Sequence, residues 1–502
     1  MYMMKKIFAA RVPKLEIAVF MCGAIVMAFE IVGSRVVAPY LGTSLYVWTS
    51  IIGVILGSLS VGYWYGGRLA DKRATFSGFS IIIFLSAVSI LMCTLFRVII
   101  LLFIQLKFGE SFFAPILASV ILFAPASVAL GMVSPYAVKL KLSHLVSSGK
   151  TVGNLYALST LGSIFGTFFA GFYLIPRLGT VAILYVLSTS LLVLSFVVCH
   201  KKLRKTRLSF FCYIVAIMSI GLFPDHSSAF DGFVDLDTPY HRVWILDYQY
   251  EKKDKKVRGF MTDAKGVQSA MFLDSDDLVF DYTNFYRLAP YFVPHMNNTL
   301  LLGGGIYSFP TFFLKEYPEA RIDVVEIDPG LTDIAKQYFR LKEHDRLSII
   351  NTDARIFLQN NTKEYDVIYK DVFLSEYSIP MHLTTKEAVA LEYAALADEG
   401  VLMVNLIASI KGKGAPLLHA LYKTYNSVFQ EVSLYATEGD TPHKTQNIIL
   451  VAAKKKRDIV VTISDPLLQS FVGNRIVLEP QPNIPILRDD YAPVQHLLFS
   501  SL

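Results

Sequence analysis

The sequence predicts two halves of different fold class: a multi-pass α-helical membrane domain, then a Rossmann-like α/β domain that begins with a small antiparallel β-sheet. A mean hydropathy of +0.46 is too apolar for a soluble protein of 502 residues. Charged residues are sparse before position 225 and reach ordinary density after it. Strands then alternate with helices. We therefore place the domains at 1–225, 226–298 and 299–502.

Seven apolar stretches in the first half reach or approach the ~20 residues that cross a bilayer. They are 15–40, 47–67, 77–104, 112–136, 152–175, 179–199 and 208–224. The first follows several lysines and arginines, as a signal peptide would, but it lacks a clear cleavage motif. We therefore predict that it is retained as a helix.

Charge in the loops predicts the orientation of these spans in the cell membrane. The segments 68–73, 139–150 and 200–207 carry a basic excess, whereas the loops between them carry little charge. Positive loops face the cytoplasm. Seven full crossings would then put the second half outside, away from a cytosolic nucleoside, so the side that it faces depends on whether 208–224 crosses. A hidden extra turn in 77–104 is disfavoured, because it would put the cluster 200–207 on the wrong side.

A few residues of the first half stand out. Gly162 and Gly166 are four apart, a spacing that lets two helices pack closely. Glu30 and Arg35 are ionisable residues in or near the first span, where they predict an internal ion pair or, less often, a transport or substrate role. The loop 66–73 resembles a cytoplasmic loop of major facilitator transporters, but the chain has too few spans for a complete transporter of that kind.

The second half opens with β-rich sequence. The segment 241–250 alternates in polarity, 251–256 is charged, and 258–273 again has strand character. This pattern predicts strands joined by a hairpin turn. We expect a small antiparallel sheet before the main fold.

The main fold is predicted from strands that alternate with helices, which is typical of a doubly wound parallel sheet. The predicted strands are 299–302, 321–327, 347–350, 365–369 and 400–406, and the predicted helices are 309–316, 330–339 and 385–396. Glycines or acids stand at or just beyond the ends of the first four strands: Gly303, Gly304 and Gly305, then Glu326, Asp353 and Asp371.

These strand-end residues predict a nucleoside site, because ligands bind beyond the carboxyl ends of such strands. Glu326, 21 residues after Gly305, is spaced to bind both ribose hydroxyls, and Asp353 could accept an adenine amino group. The plainer alternatives are a glycine turn and a helix-capping acid. The segment 303–310 lacks the later glycine that receives a pyrophosphate, which favours an S-adenosylmethionine-type ligand over a dinucleotide.

Longer motifs resemble the spermidine synthase (polyamine aminopropyltransferase) family, and more closely its membrane-fused branch. In the second half they are DTPYHRV (237–243), TDAKGVQSA (262–270), LLLGGG (300–305), VVEIDP (324–329), NTDARIFL (351–358), YDVIYKD (365–371) and RDDYAPVQ (488–495). In the first half they are EIVGSRVVAPYLGTSLYVW (30–48) and GYWYGGRLADKR (62–73). The resemblance implies an S-adenosylmethionine-dependent transferase fold for the second half.

The resemblance also implies roles for individual residues. Asp371 would be the catalytic acid–base group, which takes a proton from the attacking amine. The co-substrate, decarboxylated S-adenosylmethionine or S-adenosylmethionine, would contact Gly303, Gly304, Gly305, Glu326, Asp353, Ala354 and Gln268. An amine or polyamine would contact Tyr240, His241 and Glu376.

Four departures from the family pattern concern the amine half of the site. Ile306 stands where the family has an aspartate, and Leu374 replaces a second acid three residues after Asp371. His241 replaces a glutamine, and an acidic Tyr-His-Glu segment is replaced around 282–286. The exact amine is therefore less well predicted than the nucleoside.

Two other functions remain open from the sequence. Loss of the acid at 306 could admit the carboxylate of intact S-adenosylmethionine, which would allow methyl transfer. Alternatively, the second half could be a ligand-sensing module for a transporter-like membrane half. No zinc or other metal site is expected from the four cysteines, and no basic–aromatic stripe predicts nucleic-acid binding. The expected partners are the lipid bilayer and a small amine, with homo-oligomerisation left open.

Overall fold

Helices make up the described part of the first unit of the chain, Met1–Ser228, and two β-sheets organise the second unit, Ala229–Leu502. The structure is a computed structural model. It describes residues 12–108, 111, 113–142, 148–198, 232–264, 266–373, 380–439, 441–455, 463, 465–479 and 481–500.

The described helices of the first unit follow the apolar stretches of the sequence. They are α1 Val12–Leu41, α2 Leu45–Arg73, α3 Phe76–Phe108, α4 Ala114–Leu122, α5 Ala124–Gly131, α6 Val133–Lys141, α7 Ser148–Phe169 and α8 Thr180–Val198. A π-helical turn, Ala170–Leu174, and a last turn, Ile175–Arg177, continue α7. Five helices (α1, α2, α3, the extended α7 and α8) are long and apolar enough to cross a membrane.

The fourth predicted span, 112–136, is not a single helix, and this prediction is corrected. The stretch from Phe113 to Lys141 forms a pair of helical segments bent by 53° at Phe123. Pro125 lies in the first turn of α5, where it supplies no backbone N–H to continue the helix from α4. The bent pair counts as a sixth span if it crosses. The predicted seventh span, 208–224, lies outside the described residues.

Glycines allow α1 and α7 to pack closely, as the spacing of Gly162 and Gly166 predicts. A Cβ on Gly162 would lie only 2.1 Å from the backbone oxygen of Phe20 in α1. A Cβ on Gly166 would lie equally close, at 2.1 Å, to that of Ala24. Gly23 makes the reciprocal approach to the carbonyl of Ser159, at 2.3 Å. Side chains at these positions would therefore push the two helices apart.

The small antiparallel sheet opens the second unit. Its strands are β1 Phe233–Asp237, β2 Arg242–Tyr250, β3 Lys255–Met261 and β4 Ser269–Phe272, hydrogen-bonded in that order. The predicted hairpin turn is present between β2 and β3, where Asp254 adopts a left-handed conformation with φ of 47°. The segment 258–273, predicted to have strand character, contains the end of β3 and all of β4.

The main sheet has eight strands in the order β12-β10-β11-β9-β8-β5-β6-β7. They are β5 Asn298–Leu302, β6 Arg321–Val325, β7 Leu347–Ile350, β8 Tyr365–Lys370, β9 Leu396–Ala408, β10 Glu431–Ala436, β11 Gln446–Ala453 and β12 Arg475–Ile476. The strands β7, β6, β5, β8 and β9 are parallel, as predicted. In addition, β11 is inserted antiparallel between β9 and β10.

Helices cover this sheet and bury its strands. The helices are α9 Asp281–Phe285, α10 Ala289–Phe292, α11 Ser308–Glu316, α12 Pro329–Tyr338, α13 Ala354–Asn360, α14 Lys386–Ala395, α15 Ala415–Asn426, α16 Pro466–Gly473 and α17 Val494–Phe499. Two apolar clusters form the core, one containing Leu302, Ile368 and Leu402, the other Leu301, Val367 and Met403. Neighbouring strand residues thus pack on opposite faces.

Candidate active site

A cavity of about 510 Å³ lies at the carboxyl ends of the parallel strands. Every predicted strand-end residue lines it: the three glycines, Glu326, Asp353 and Asp371. Because the sheet order is β11-β9-β8-β5-β6-β7, the cavity has two ends. We call the part at β5, β6 and β7 the nucleoside end, and the part at β9 and β11 the acceptor end. Asp371, which follows β8, lies between them.

The glycine loop after β5 requires residues without side chains. Gly303 has a φ of +93°, and a Cβ on it would lie 2.1 Å from the backbone oxygen of Asp371. Gly305 also has a positive φ, of +51°. Only glycine adopts such conformations without strain. The loop therefore holds the ends of β5 and β8 in direct contact.

Glu326 is buried beneath this loop. Its Oε2 accepts hydrogen bonds from the N–H groups of Gly304 and Gly305, at 2.9 and 3.1 Å, and its Oε1 accepts one from Asp328 at 3.0 Å. Burial raises the pKa of Glu326, and these backbone hydrogen bonds oppose that effect. Three of the roughly four acceptor positions of a carboxylate are thus occupied. Room remains for about one hydroxyl rather than the two that the sequence analysis expects.

Asp353 caps a helix and also lines the cavity. Its Oδ1 caps α13 by accepting from the N–H groups of Arg355 and Ile356, at 2.9 and 3.1 Å. Its Oδ2 lies 3.1 Å from Nε2 of His382, a residue that the sequence analysis did not single out. Asp353 and the adjacent Ala354 both line the cavity. The carboxylate is therefore a helix cap with one oxygen directed to the nucleoside end.

Asp371 lies at the inner wall of the cavity, surrounded by protein atoms. Its Oδ1 accepts a hydrogen bond of 2.9 Å from Nδ2 of Asn405, and the Tyr282 hydroxyl bonds the same carboxyl group. Burial raises the pKa of Asp371 from 3.8 to about 6, although both hydrogen bonds lower it. A carboxyl group with this pKa can accept a proton near neutral pH.

Two asparagines behind Asp371 were missed by the sequence analysis. Nδ2 of Asn447, in β11, donates to Oδ1 of Asn405, in β9, at 2.9 Å. This bond fixes the orientation of the Asn405 amide, so its Nδ2 points at Asp371. A signal was present in the sequence, because Asn405 is a lone amide in the apolar run 401–408 and a buried amide needs a partner.

Two polar atoms beside the cavity are buried without a hydrogen-bond partner among the described residues: Nε2 of Gln268 and the hydroxyl of Tyr286. Oε1 of Gln268 accepts from the N–H of Thr262 at 2.8 Å, so its Nε2 is held as a donor. Leaving such groups unpaired costs about 1–3 kcal/mol each. Both residues line the cavity, where a bound ligand can supply the partner.

The remaining predicted residues differ in their positions. His241 lines the cavity, with its Nδ1 3.2 Å from Oδ2 of Asp328. The Tyr240 side chain is 52% exposed and does not belong to the cavity lining. Ile306 is buried in an apolar cluster with Phe260 and Leu331. Leu374 and Glu376 lie outside the described residues.

The part of the chain that the structure describes contains no group of three or more His, Cys, Asp or Glu side chains arranged to hold a metal ion. The polar side-chain groups that line the cavity are carboxylates, amides, hydroxyls, imidazoles and the ammonium of Lys252. Such groups can hold a nucleoside through hydrogen bonds.

Known proteins are similar in sequence to part of this chain. Residues 287–462 match the spermine/spermidine synthase domain. A polyamine aminopropyltransferase of Vibrio vulnificus is 32% identical over 256 residues, which cover 50% of this chain and 83% of that protein. A probable polyamine aminopropyl transferase of Bifidobacterium longum is 31% identical over 254 residues, 46% of this chain and 55% of that protein.

A methyltransferase is also similar to part of the chain. The eEF1A lysine and N-terminal methyltransferase homolog of Drosophila melanogaster is 30% identical over 146 residues. This match covers 28% of this chain and 21% of that protein. The match is therefore confined to a fraction of each chain.

Proposed function

The chain belongs to the spermine/spermidine synthase family, and from this premise we propose that it is a membrane-anchored enzyme that moves an aminopropyl group from decarboxylated S-adenosylmethionine to an amine. Asp371 is the proposed proton acceptor. The observation that carries the proposal is the position of this carboxyl group, with its pKa of about 6, between the two ends of the cavity. The family resemblance noted in the sequence is confirmed, and the enzymatic interpretation with it.

In the proposed reaction, the amine nitrogen attacks the aminopropyl carbon attached to the sulfonium. A nitrogen–carbon bond forms, the carbon–sulfur bond breaks, and methylthioadenosine leaves. The amine proton passes to a carboxylate oxygen of Asp371. Asn405 keeps that carboxylate oriented through its 2.9 Å hydrogen bond. Orientation and proton acceptance of this kind lower the barrier of such a displacement.

The nucleoside end is proposed to hold the adenosine part of the donor. Glu326 accepts a ribose hydroxyl, Asp353 accepts the adenine amino group, and Ala354 contacts the base. The glycine loop 303–305 lets the nucleoside approach the backbone. Gln268 and Tyr286, with their unpaired polar atoms, are proposed to contact the donor near its sulfur. The co-substrate is a sulfonium nucleoside, and no metal has a role in the proposed reaction.

The full chain in detergent or membrane vesicles tests this function. Incubation with decarboxylated S-adenosylmethionine and a panel of amines should release methylthioadenosine. Methyl transfer is the second candidate, because Ile306 stands where the family has an aspartate, and it would release S-adenosylhomocysteine from S-adenosylmethionine. Binding of methylthioadenosine without turnover of either donor would instead favour the ligand-sensing module.

Replacing Asp353 by asparagine is expected to weaken the binding of methylthioadenosine by about tenfold to a hundredfold, the usual effect of losing a hydrogen bond to a charged group. Asparagine keeps an oxygen that can cap α13, but its amide nitrogen cannot accept a hydrogen bond from the adenine amino group. The measurement is calorimetric binding to the full chain. Asp465→Asn is the matched control, since Asp465 caps α16 in the same way but does not line the cavity. Equal affinity of Asp353→Asn and wild type would remove Asp353 from the adenine site.

The second unit is proposed to face the cytoplasm, where a nucleoside donor is available. A reporter fused after residue 230 should then give a cytoplasmic signal, as should one fused within the basic loop 139–150. The stretch 208–224, whose crossing would reverse this result, lies outside the described residues. An external signal at 230 together with a cytoplasmic signal at 139–150 would show that the stretch crosses.

A further inference from the structure

Two acids line the acceptor end of the cavity, and each is paired with a lysine. Nζ of Lys252 lies 3.3 Å from Oδ2 of Asp281, and both residues line the cavity. The Glu438 carboxylate, also in the lining, is ion-paired with Lys444. The four side chains carry two negative and two positive charges, so the cluster is neutral.

Lys252 lies in the hairpin turn between β2 and β3, and Asp281 is the acid within ion-pair distance of its Nζ. Partial burial lowers the pKa of its ammonium, but Asp281 and, more weakly, Glu438 raise it overall. An ammonium that belongs to the protein is thus already paired with Asp281, and a second one, that of Lys444, with Glu438.

The rest of the acceptor end is uncharged. The rings of Tyr250 and Phe280 meet edge to face, with centroids 6.3 Å apart. Ile407, Thr437, Thr445, Gln446 and Asn447 also belong to this part of the lining. Rings and an aliphatic side chain suit a methylene chain, and hydroxyl groups suit a neutral polar end.

These contacts have a consequence for the acceptor. A linear diamine brings two ammonium groups: one loses its proton near Asp371, and the other must be held at the acceptor end. Among the described lining residues there, a second ammonium would find both carboxylates engaged and the Lys252 ammonium nearby. Like charges at such short range repel each other.

We propose that Lys252 takes the place of the second ammonium of a diamine, and that the acceptor is a primary monoamine with an uncharged tail. This proposal rests on the proposed aminopropyl transfer and narrows its acceptor. The reaction is unchanged: the amine nitrogen bonds to the aminopropyl carbon, methylthioadenosine leaves, and the proton goes to Asp371.

The test compares two acceptors with the same four-carbon chain, n-butylamine and putrescine, on the full chain with decarboxylated S-adenosylmethionine. Release of methylthioadenosine gives kcat/KM for each. The wild type is expected to prefer n-butylamine. Lys252→Met is expected to shift the ratio by about fivefold toward putrescine, the modest size expected of a largely exposed ion pair.

Two matched variants isolate the effect of the ammonium. Lys252→Arg keeps a cation and should keep the wild-type ratio. Lys253→Met removes the same charge from the adjacent residue, whose Nζ bonds the carbonyl of Leu278 and which does not line the cavity, so its ratio should also be that of the wild type.

The proposal is overturned if the wild type prefers putrescine and Lys252→Met leaves that preference unchanged. In that case the aminopropyl transfer itself still holds. If no amine releases methylthioadenosine, the transfer fails and this inference fails with it, so the two failures are distinguishable.

Discussion

Replacing Asp371 by asparagine is expected to lower kcat by about a hundredfold to ten-thousandfold, the usual contribution of a general base. Asparagine has nearly the same shape and can still bond Asn405, but it cannot accept a proton at neutral pH. Binding of methylthioadenosine should stay within about threefold of wild type, because the nucleoside is proposed to be held by other residues. Single-turnover release of methylthioadenosine separates the chemical step from binding.

Asp366→Asn is the matched control for this variant. Asp366 lies in β8, the strand that Asp371 follows, and its carboxylate accepts hydrogen bonds from the N–H groups of Asn297 and Asn298, at 2.8 and 2.9 Å. It does not line the cavity, so kcat should be unchanged. Retention of more than a tenth of wild-type kcat in Asp371→Asn would exclude Asp371 as the proton acceptor.

The same carboxyl group sets the pH dependence that we expect. As a base Asp371 must be ionised, and burial raises its pKa to about 6, so kcat/KM should fall as the pH drops below about 6. Asn405→Leu removes a hydrogen bond that lowers this pKa, so the decline should begin at a higher pH. A purely structural role for Asn405 would reduce stability without moving the pH profile.

The nucleoside end could be predicted because each of its residues is identified by its position next to a strand in the sequence. In parallel strands the carboxyl ends share one edge, so Glu326, Asp353 and Asp371 meet once the strands are recognised. Each acid stands at or within three residues of the end of a predicted strand, a pattern that is visible in the sequence. The glycine loop could be predicted for the same reason, since Gly303 follows β5 directly.

The network behind Asp371 could not be predicted, because it depends on strand order. Asn405 and Asn447 are far apart in the sequence. They meet only because β11 lies between β9 and β10 in the sheet, so that it pairs with β9. Hydrophobic periodicity identifies a strand but not its neighbour. The hydrogen bond from Tyr282 to Asp371 depends in the same way on how α9 packs over the cavity.

The bend at Phe123 shows a different limit of the sequence analysis. Hydropathy averages over about 20 residues, so it reports one apolar span for 112–136. It does not weigh Pro125, whose missing N–H interrupts the helix. A proline within an apolar stretch is therefore the feature that marks such a bend.

Lys370→Met is expected to destabilise the second unit by about 3–5 kcal/mol, the usual effect of leaving a buried charge without its partner. Nζ of Lys370 lies 2.5 Å from Oε1 of Glu392, 2.5 Å from the carbonyl of Leu383 and 3.0 Å from the Tyr425 hydroxyl. The side chains of Lys370 and Glu392 are 6% and 0% exposed. Burial raises the pKa of Glu392, and the lysine lowers it. Removing the lysine therefore leaves a buried carboxylate without its counter-charge.

The double variant Lys370→Met/Glu392→Leu separates the ion pair from the packing. Replacing a buried pair by apolar residues of similar size is often neutral, so the double variant should recover most of the stability. The measurement is the melting temperature of the full chain without ligand, followed by circular dichroism, where the single variant should lose about 10 °C. Equal stability of Lys370→Met and wild type would show that the pair contributes nothing.

This pair also bears on the site, because neighbouring residues of an extended strand face opposite ways. Lys370 points away from the cavity and fixes the end of β8 from behind, while Asp371 points into it. Through the carbonyl of Leu383 the lysine also holds the turn that carries His382, which contacts Asp353. We therefore expect Lys370→Met to weaken methylthioadenosine binding even at temperatures where the chain stays folded, and the double variant not to restore it, since neither methionine nor leucine can bond the Leu383 carbonyl.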